Sequence, residues 1–100
     1  MLRSGDLTID LAEHRCRRGE TAIDLTPKEF ALASYLLLRH GEVTSKQELL
    51  RHVWDDVDGF DTNVVEVYVG YLRRKIDMPF GRAPIETVRG VGYRLVDDAC

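Results

Sequence analysis

Residues 63–94 carry the side chains best suited to chemistry: Arg73, Arg74 and Lys75 in succession, then Arg89 ahead of Gly90-Val91-Gly92. Grouped cations can neutralise phosphates, and an arginine on a turn of small residues can enter a minor groove, where negative potential is concentrated. A helix ending in the first group and a hairpin tipped by Arg89 could together address two grooves of a DNA duplex. Each feature also has a plainer explanation. Basic residues near a helix C-terminus offset its dipole and aid solubility, and an isolated turn commonly holds a solvated arginine. A dinucleotide fingerprint is excluded, because Gly90-Val91-Gly92 lacks a third glycine and runs into a strand rather than opening a helix.

The elements that must position these groups follow from periodicity. Val65, Val69, Leu72 and Ile76 recur at intervals of four, three and four, which predicts a helix with one narrow core stripe. Asn63, Val67, Gly70, Tyr71 and Arg74 then face outward. A valine, a glycine and a tyrosine gain nothing from water, so this face is expected to meet a partner. Beyond it, Ala83, Ile85 and Thr87 alternate with Pro84, Glu86 and Val88, and Tyr93, Leu95 and Val96 follow the glycine turn, which predicts a hairpin. Both glycines are expected to serve the turn through positive φ.

Upstream, two helices carry start signals. Thr26 and Glu29 have capping-box spacing with Pro27 in the first turn, Phe30, Ala33, Leu36 and Leu37 form the buried stripe, and Gly41 marks the stop. Ser45 and Glu48 repeat the device ahead of Leu49, Leu50 and Val53. Lys46, in that second first turn, could touch a phosphate or simply be solvated. The segments 6–11, 15–18 and 21–25 predict a small antiparallel sheet, with Arg15, Arg17 and Arg18 charging an exposed edge strand. Asp55, Asp56, Asp58 and Asp61 surround Val57, Gly59 and Phe60 before the third helix. Neither calcium-loop register through Gly59 supplies the required oxygen ligands, and acids suit a helix N-terminus, with Asp61 or Thr62 as cap.

One hundred residues predict a single domain with a modest core. The formal net charge of −3 is the wrong sign for a protein that meets a polyanion, but it is polarised: residues 63–96 carry a net +3 and residues 1–62 a net −4. Cys16 and Cys100 are too far apart in sequence to suggest a zinc site or a disulfide framework, and free thiols are expected. His14, His40 and His52 lack a nearby nucleophile or metal partner, so no enzyme and no cofactor are expected. No apolar run suggests a membrane span and no leader suggests secretion, which predicts a cytoplasmic protein.

Six runs, taken in order, resemble the C-terminal effector domain of OmpR/PhoB-type response regulators: Leu25–Phe30, Ser45–Leu50, His52–Trp54, Asn63–Tyr68, Leu72–Lys75 and Glu86–Leu95. The resemblance covers nearly the whole chain and implies an α+β winged helix-turn-helix with an N-terminal antiparallel sheet, three helices and a C-terminal hairpin wing. It implies sequence-specific binding of double-stranded DNA in transcription control, with the third helix in the major groove and the wing in the minor groove. On this reading Asn63, Val67, Tyr71, Arg74 and Arg89 meet bases, Asn63 pairing with adenine and Val67 packing on a thymine methyl. Lys46, Trp54, Tyr68, Arg73, Lys75 and Thr87 would contact phosphates, with Trp54 equally able to serve as a core residue. The resemblance further implies that Asp55, Asp56, Val57, Asp58, Gly59 and Phe60 form a loop touching RNA polymerase. It also implies that the sheet meets a receiver domain carried elsewhere in the full-length protein, and that two copies bind direct repeats.

Overall fold

A computed structural model describes residues 1–55, 62–80 and 85–96. Four short strands, β1 (Leu2–Ser4), β2 (Leu7–Asp10), β3 (Arg15–Arg18) and β4 (Thr21–Ile23), form an antiparallel meander in sequence order. Helix α1 (Pro27–Leu38) follows, then the two-residue strand β5 (Thr44–Ser45), α2 (Lys46–Val53) and α3 (Asn63–Leu72). Residues Arg73–Asp77 continue α3 as a wider π turn, and Met78–Phe80 close it with a 3-10 turn. Strands β6 (Ile85–Val88) and β7 (Gly92–Leu95) make the hairpin, and β7 also pairs with β5, giving the order β5-β7-β6. The expected winged helix-turn-helix architecture is present.

Local signals account for most boundaries. The Thr26 hydroxyl accepts from the Glu29 amide at 3.3 Å and the Glu29 carboxylate accepts from the Thr26 amide at 2.9 Å, a complete capping box with Pro27 behind it. At α2 the device is half used. Ser45 accepts from the Glu48 amide at 3.0 Å, while the Glu48 carboxylate turns instead to Tyr35 of α1 and to Arg39 just after it. Thr62 precedes α3 without a side-chain capping bond, and Asp61 lies outside the described residues.

The core is one cluster to which every layer contributes. Leu7, Ile9 and Cys16 come from the first sheet, Phe30, Leu32, Ala33, Leu36 and Leu37 from α1, and Leu49 and Leu50 from α2. Val65, Val69, Leu72 and Ile76 come from α3 and its extension, and Ile85, Tyr93 and Leu95 from the hairpin. The predicted stripe of α3 is fully buried. Helix α1 buries Leu32 as well as its expected stripe, because it packs against α2 and α3 and also against β1 and β7. Val53, expected in the core, is only partly covered at the end of α2.

Two expectations are corrected. Strand β3 lies inside the sheet between β2 and β4, not at its edge, and the pleat sends Cys16 and Arg18 inward while Arg15 and Arg17 stay exposed. Only one wing glycine serves the turn through its backbone angle. Gly90 has φ +77°, whereas a Cβ on Gly92 would stand 2.0 Å from the Thr44 carbonyl oxygen and 2.8 Å from the Ser45 Cα. Gly92 is therefore required by the close approach of β7 to β5. Cys16 is a free, buried thiol whose pKa burial pushes up to about 11 against the opposing pull of Arg18, so it stays protonated.

Candidate nucleic-acid interface

Helix α3 presents a continuous outer face because its opposite stripe is packed. Asn63, Glu66 and Arg74 are exposed, Val67 and Tyr71 are 47% and 41% exposed, and Gly70 is half covered. These two large apolar side chains stay open on a helix that buries three others, Val65, Val69 and Leu72. Tyr68 sits between that face and the core. Its ring meets Trp54 edge-on at 5.3 Å and Tyr71 at 5.3 Å, forming an aromatic row from the end of α2 along α3. Trp54 packs against the core and lies under the Lys28 ammonium, 5.8 Å from its ring, while Lys28 also donates to the Val53 carbonyl at 3.1 Å.

The cations of the wing and turn divide by engagement, and Arg94 on β7 pairs with Glu86 across the hairpin. Among the described residues Arg74 and Arg89 make no hydrogen bond or ion pair, and both are exposed. Arg73 is committed: Nη2 donates to the Ile85 carbonyl at 2.7 Å and to the Thr87 hydroxyl at 2.7 Å, and its guanidinium lies over the Tyr93 ring at 5.8 Å. The arginine expected at a phosphate thus ties the end of α3 to the wing. Thr87, accepting from Arg73, keeps its own hydroxyl proton to offer outward.

Lys75 reaches inward as well. Its ammonium donates to the Glu29 carboxylate at 2.7 Å and to the Asp24 carbonyl at 3.1 Å, joining the α3 extension to the capping box of α1. Burial works to raise the Glu29 pKa, but the hydrogen bond from Lys75 and those of the cap outweigh it and leave it below its ordinary value of 4.5. A lowered carboxyl pKa stabilises the fold above the unfolded value, and that contribution is lost as acid protonates Glu29. Lys46 is paired with Glu66 across the α2–α3 interface, and that hydrogen bond raises its pKa and keeps it charged. Glu66, absent from the expected set, was legible in the sequence three residues after Asn63 on the outward face.

Gly70 has open space where a Cβ would stand, with nothing within 4 Å. Nothing inside the fold requires glycine there, and alanine is favoured by about 1 kcal/mol within a helix. Gly70→Ala should therefore raise the melting temperature by about 4–8 °C, the shift that 1 kcal/mol produces in a domain of this size. A thermal melt checks this, and an unchanged or lower midpoint would reveal a steric demand that the structure does not contain. Of the loop assigned to a polymerase contact, Asp55 is exposed with φ +55°, and residues 56–60 lie outside the described residues.

Residues 19–95 match the family described as transcriptional regulatory protein, C terminal. TcrA of Mycobacterium tuberculosis, a transcriptional regulatory protein, is 47% identical over 97 residues, covering 97% of this chain and 38% of TcrA. CusR of Escherichia coli K12 is 44% identical over 90 residues, covering 90% of this chain and 40% of CusR. The chain spans about two fifths of the length of these relatives. Among solved structures, the DNA-binding domain of Klebsiella pneumoniae RstA in complex with the RstA box superposes with a TM-score of 0.84 at 28% identity, covering 95% of each chain. With a family model matching most of its length and relatives of this identity covering nearly all of it, the chain belongs to the OmpR/PhoB-type response-regulator family, as a C-terminal winged-helix effector domain.

Proposed function

We propose that this domain binds a specific double-stranded DNA site and thereby controls transcription within a two-component response regulator. The observation that carries the reading is the pairing of one open α3 face, Asn63 to Arg74, with one unengaged arginine at the wing tip, both on a rigid frame. In this arrangement α3 enters the major groove and presents Asn63, Val67, Tyr71 and Arg74 to base edges. Val67 suits a thymine methyl and Asn63 an adenine. Arg89 enters the adjacent minor groove. Trp54, Tyr68, Lys46 and Thr87 border the helix and face phosphates, and Arg73 and Lys75 act on the backbone only through what they leave exposed. Open space at Gly70 lets the duplex approach closely, so Gly70→Ala should weaken binding while stabilising the fold.

Family membership supports further partners of the whole protein. We infer a receiver domain against the outer face of the first sheet, where Arg3, Arg15 and Arg17 are exposed, and binding of two copies to direct repeats in the cytoplasm. The segment after α2 is the candidate polymerase contact.

The experiment is selection of duplexes from a random pool, followed by salt titration of the enriched sequence. Among the described residues of this face few cations are free, so the plot of log affinity against log salt should have a slope of about −3 to −4, near −0.9 for each neutralised phosphate. Arg89→Ala should cost more affinity for an A/T-rich flank than for a G/C-rich one, since a narrow minor groove concentrates potential. Equal losses would remove the minor-groove role. The exposure of Val67 and Tyr71 also fits a protein-binding winged helix, and failure to enrich any duplex would favour that alternative.

A further inference from the structure

The turn that ends α3 is gripped by a side chain from the N-terminal sheet. Arg18, on β3 and 58 residues away in sequence, is 3% exposed, and its Nε donates to the Ile76 carbonyl at 2.8 Å. Its Nη1 donates to Asp6 Oδ1 at 2.7 Å, its Nη2 lies 3.7 Å from Asp77 Oδ1, and the Phe80 ring covers the guanidinium at 5.6 Å. Asp77 is itself 2% exposed. Ile76 and Asp77 are the last residues of the π turn Arg73–Asp77, the same turn from which Arg73 reaches the wing and Lys75 reaches the α1 cap. Wider turns of this kind recur at functional sites in helices.

A buried ion pair seldom stabilises a fold more than apolar side chains of equal volume, because desolvation offsets its attraction. What a guanidinium adds is direction, since its donors form a rigid planar fork. Three partners in three directions admit one orientation of the turn against the sheet. We propose that Arg18 is a positioning residue for DNA recognition: it sets the orientation of α3, and through Arg73 that of the wing, relative to the N-terminal sheet. Asp6 has a substantially exposed side chain, so a ligand docked on the sheet can reach the grip and alter DNA affinity through it. The inference rests on the DNA reading above.

The test uses the 100-residue chain, the duplex it enriches from a random pool, and a scrambled duplex. Arg18→Met with Asp77→Leu removes both charges, fills the space, and should melt within a few degrees of the parent. It should bind the selected duplex about tenfold more weakly, with scrambled-duplex affinity and salt slope unchanged, and amides of residues 73–77 should exchange faster with solvent. Arg18→Lys, which keeps the charge without the fork, should show the same pattern and serves if the double variant melts too low. A folded variant with an unchanged ratio of specific to scrambled affinity and unchanged exchange would overturn the proposal. If the parent enriches no duplex, the DNA reading fails instead, and unchanged exchange at residues 73–77 would still overturn the positioning role.

Discussion

Gly92→Ala is expected to lower the melting temperature by about 4–24 °C. The added methyl would stand 2.0 Å from the Thr44 carbonyl oxygen and 2.8 Å from the Ser45 Cα, and both are backbone atoms that no rotamer change can move aside. Overpacking of this kind costs about 1–3 kcal/mol or more, and each kcal/mol lowers the midpoint of a domain this size by about 4–8 °C. The damage should spread, because Ser45 caps α2 and β7 carries the wing. Gly90→Ala is the control. It has φ +77° with nothing within 4 Å, so it bears only the left-handed strain of about 1–2 kcal/mol. Thermal melts of both variants separate crowding from strain, and a Gly92→Ala midpoint above that of Gly90→Ala would contradict the β5–β7 approach.

Arg73→Lys is expected to weaken specific DNA binding by about tenfold or more, even though it keeps the charge. A charge-assisted hydrogen bond contributes about 1.5–3 kcal/mol, and 1.4 kcal/mol is tenfold in affinity. Lysine carries a single ammonium on a flexible stem. Its ammonium could donate to both acceptors, as Nη2 alone does, but it lacks the planar guanidinium that lies over Tyr93 and holds Nη2 in place between them. The two roles available to Arg73 differ in what they predict. If it chiefly neutralised a phosphate, lysine would restore affinity, and alanine would reduce the salt slope by about 0.9. If it chiefly holds the wing against α3, lysine fails and the slope stays as it was. Anisotropy titrations at several salt concentrations decide between them, and full rescue by lysine would return Arg73 to the phosphate-contact set.

Much of the frame was legible because the signals that define it are local. The Thr26–Glu29 box, the spacing of Val65, Val69, Leu72 and Ile76, and the strands flanking Gly90 each involve residues a few positions apart. What failed involved brevity or distance. Strand β5 is two residues long and exists only because β7 pairs with it, so neither the strand nor the real function of Gly92 had a local signature. The basic run Arg15-Cys16-Arg17-Arg18 looked like edge protection because the sequence does not show which strands flank it. In the structure β4 pairs along it, and Arg18 turns inward.

For the candidate site the division is similar. The outward placement of Asn63, Val67, Tyr71 and Arg74 follows from helical geometry once the core stripe is known, and the exposed tip position of Arg89 follows from the turn. The availability of each cation does not follow in this way. Lys75 is engaged by Glu29, 46 residues away, Lys46 by Glu66, 20 residues away, and Arg73 by the wing.

The sequence alone therefore determined the three helices, the hairpin and the face of α3 that looks outward, because periodicity and capping act within one or two turns of chain, and its ordered motifs carried the resemblance to the family. Tertiary structure alone decided which basic side chains remain free for a polyanion and which bind the frame together. Arginine and lysine are long and rotamer-rich, so their partners are set by whatever acceptors the packed fold brings within reach. On that ground Arg74 and Arg89 stay exposed, while Arg18, Arg73 and Lys75 direct their charge to the surroundings of a single turn.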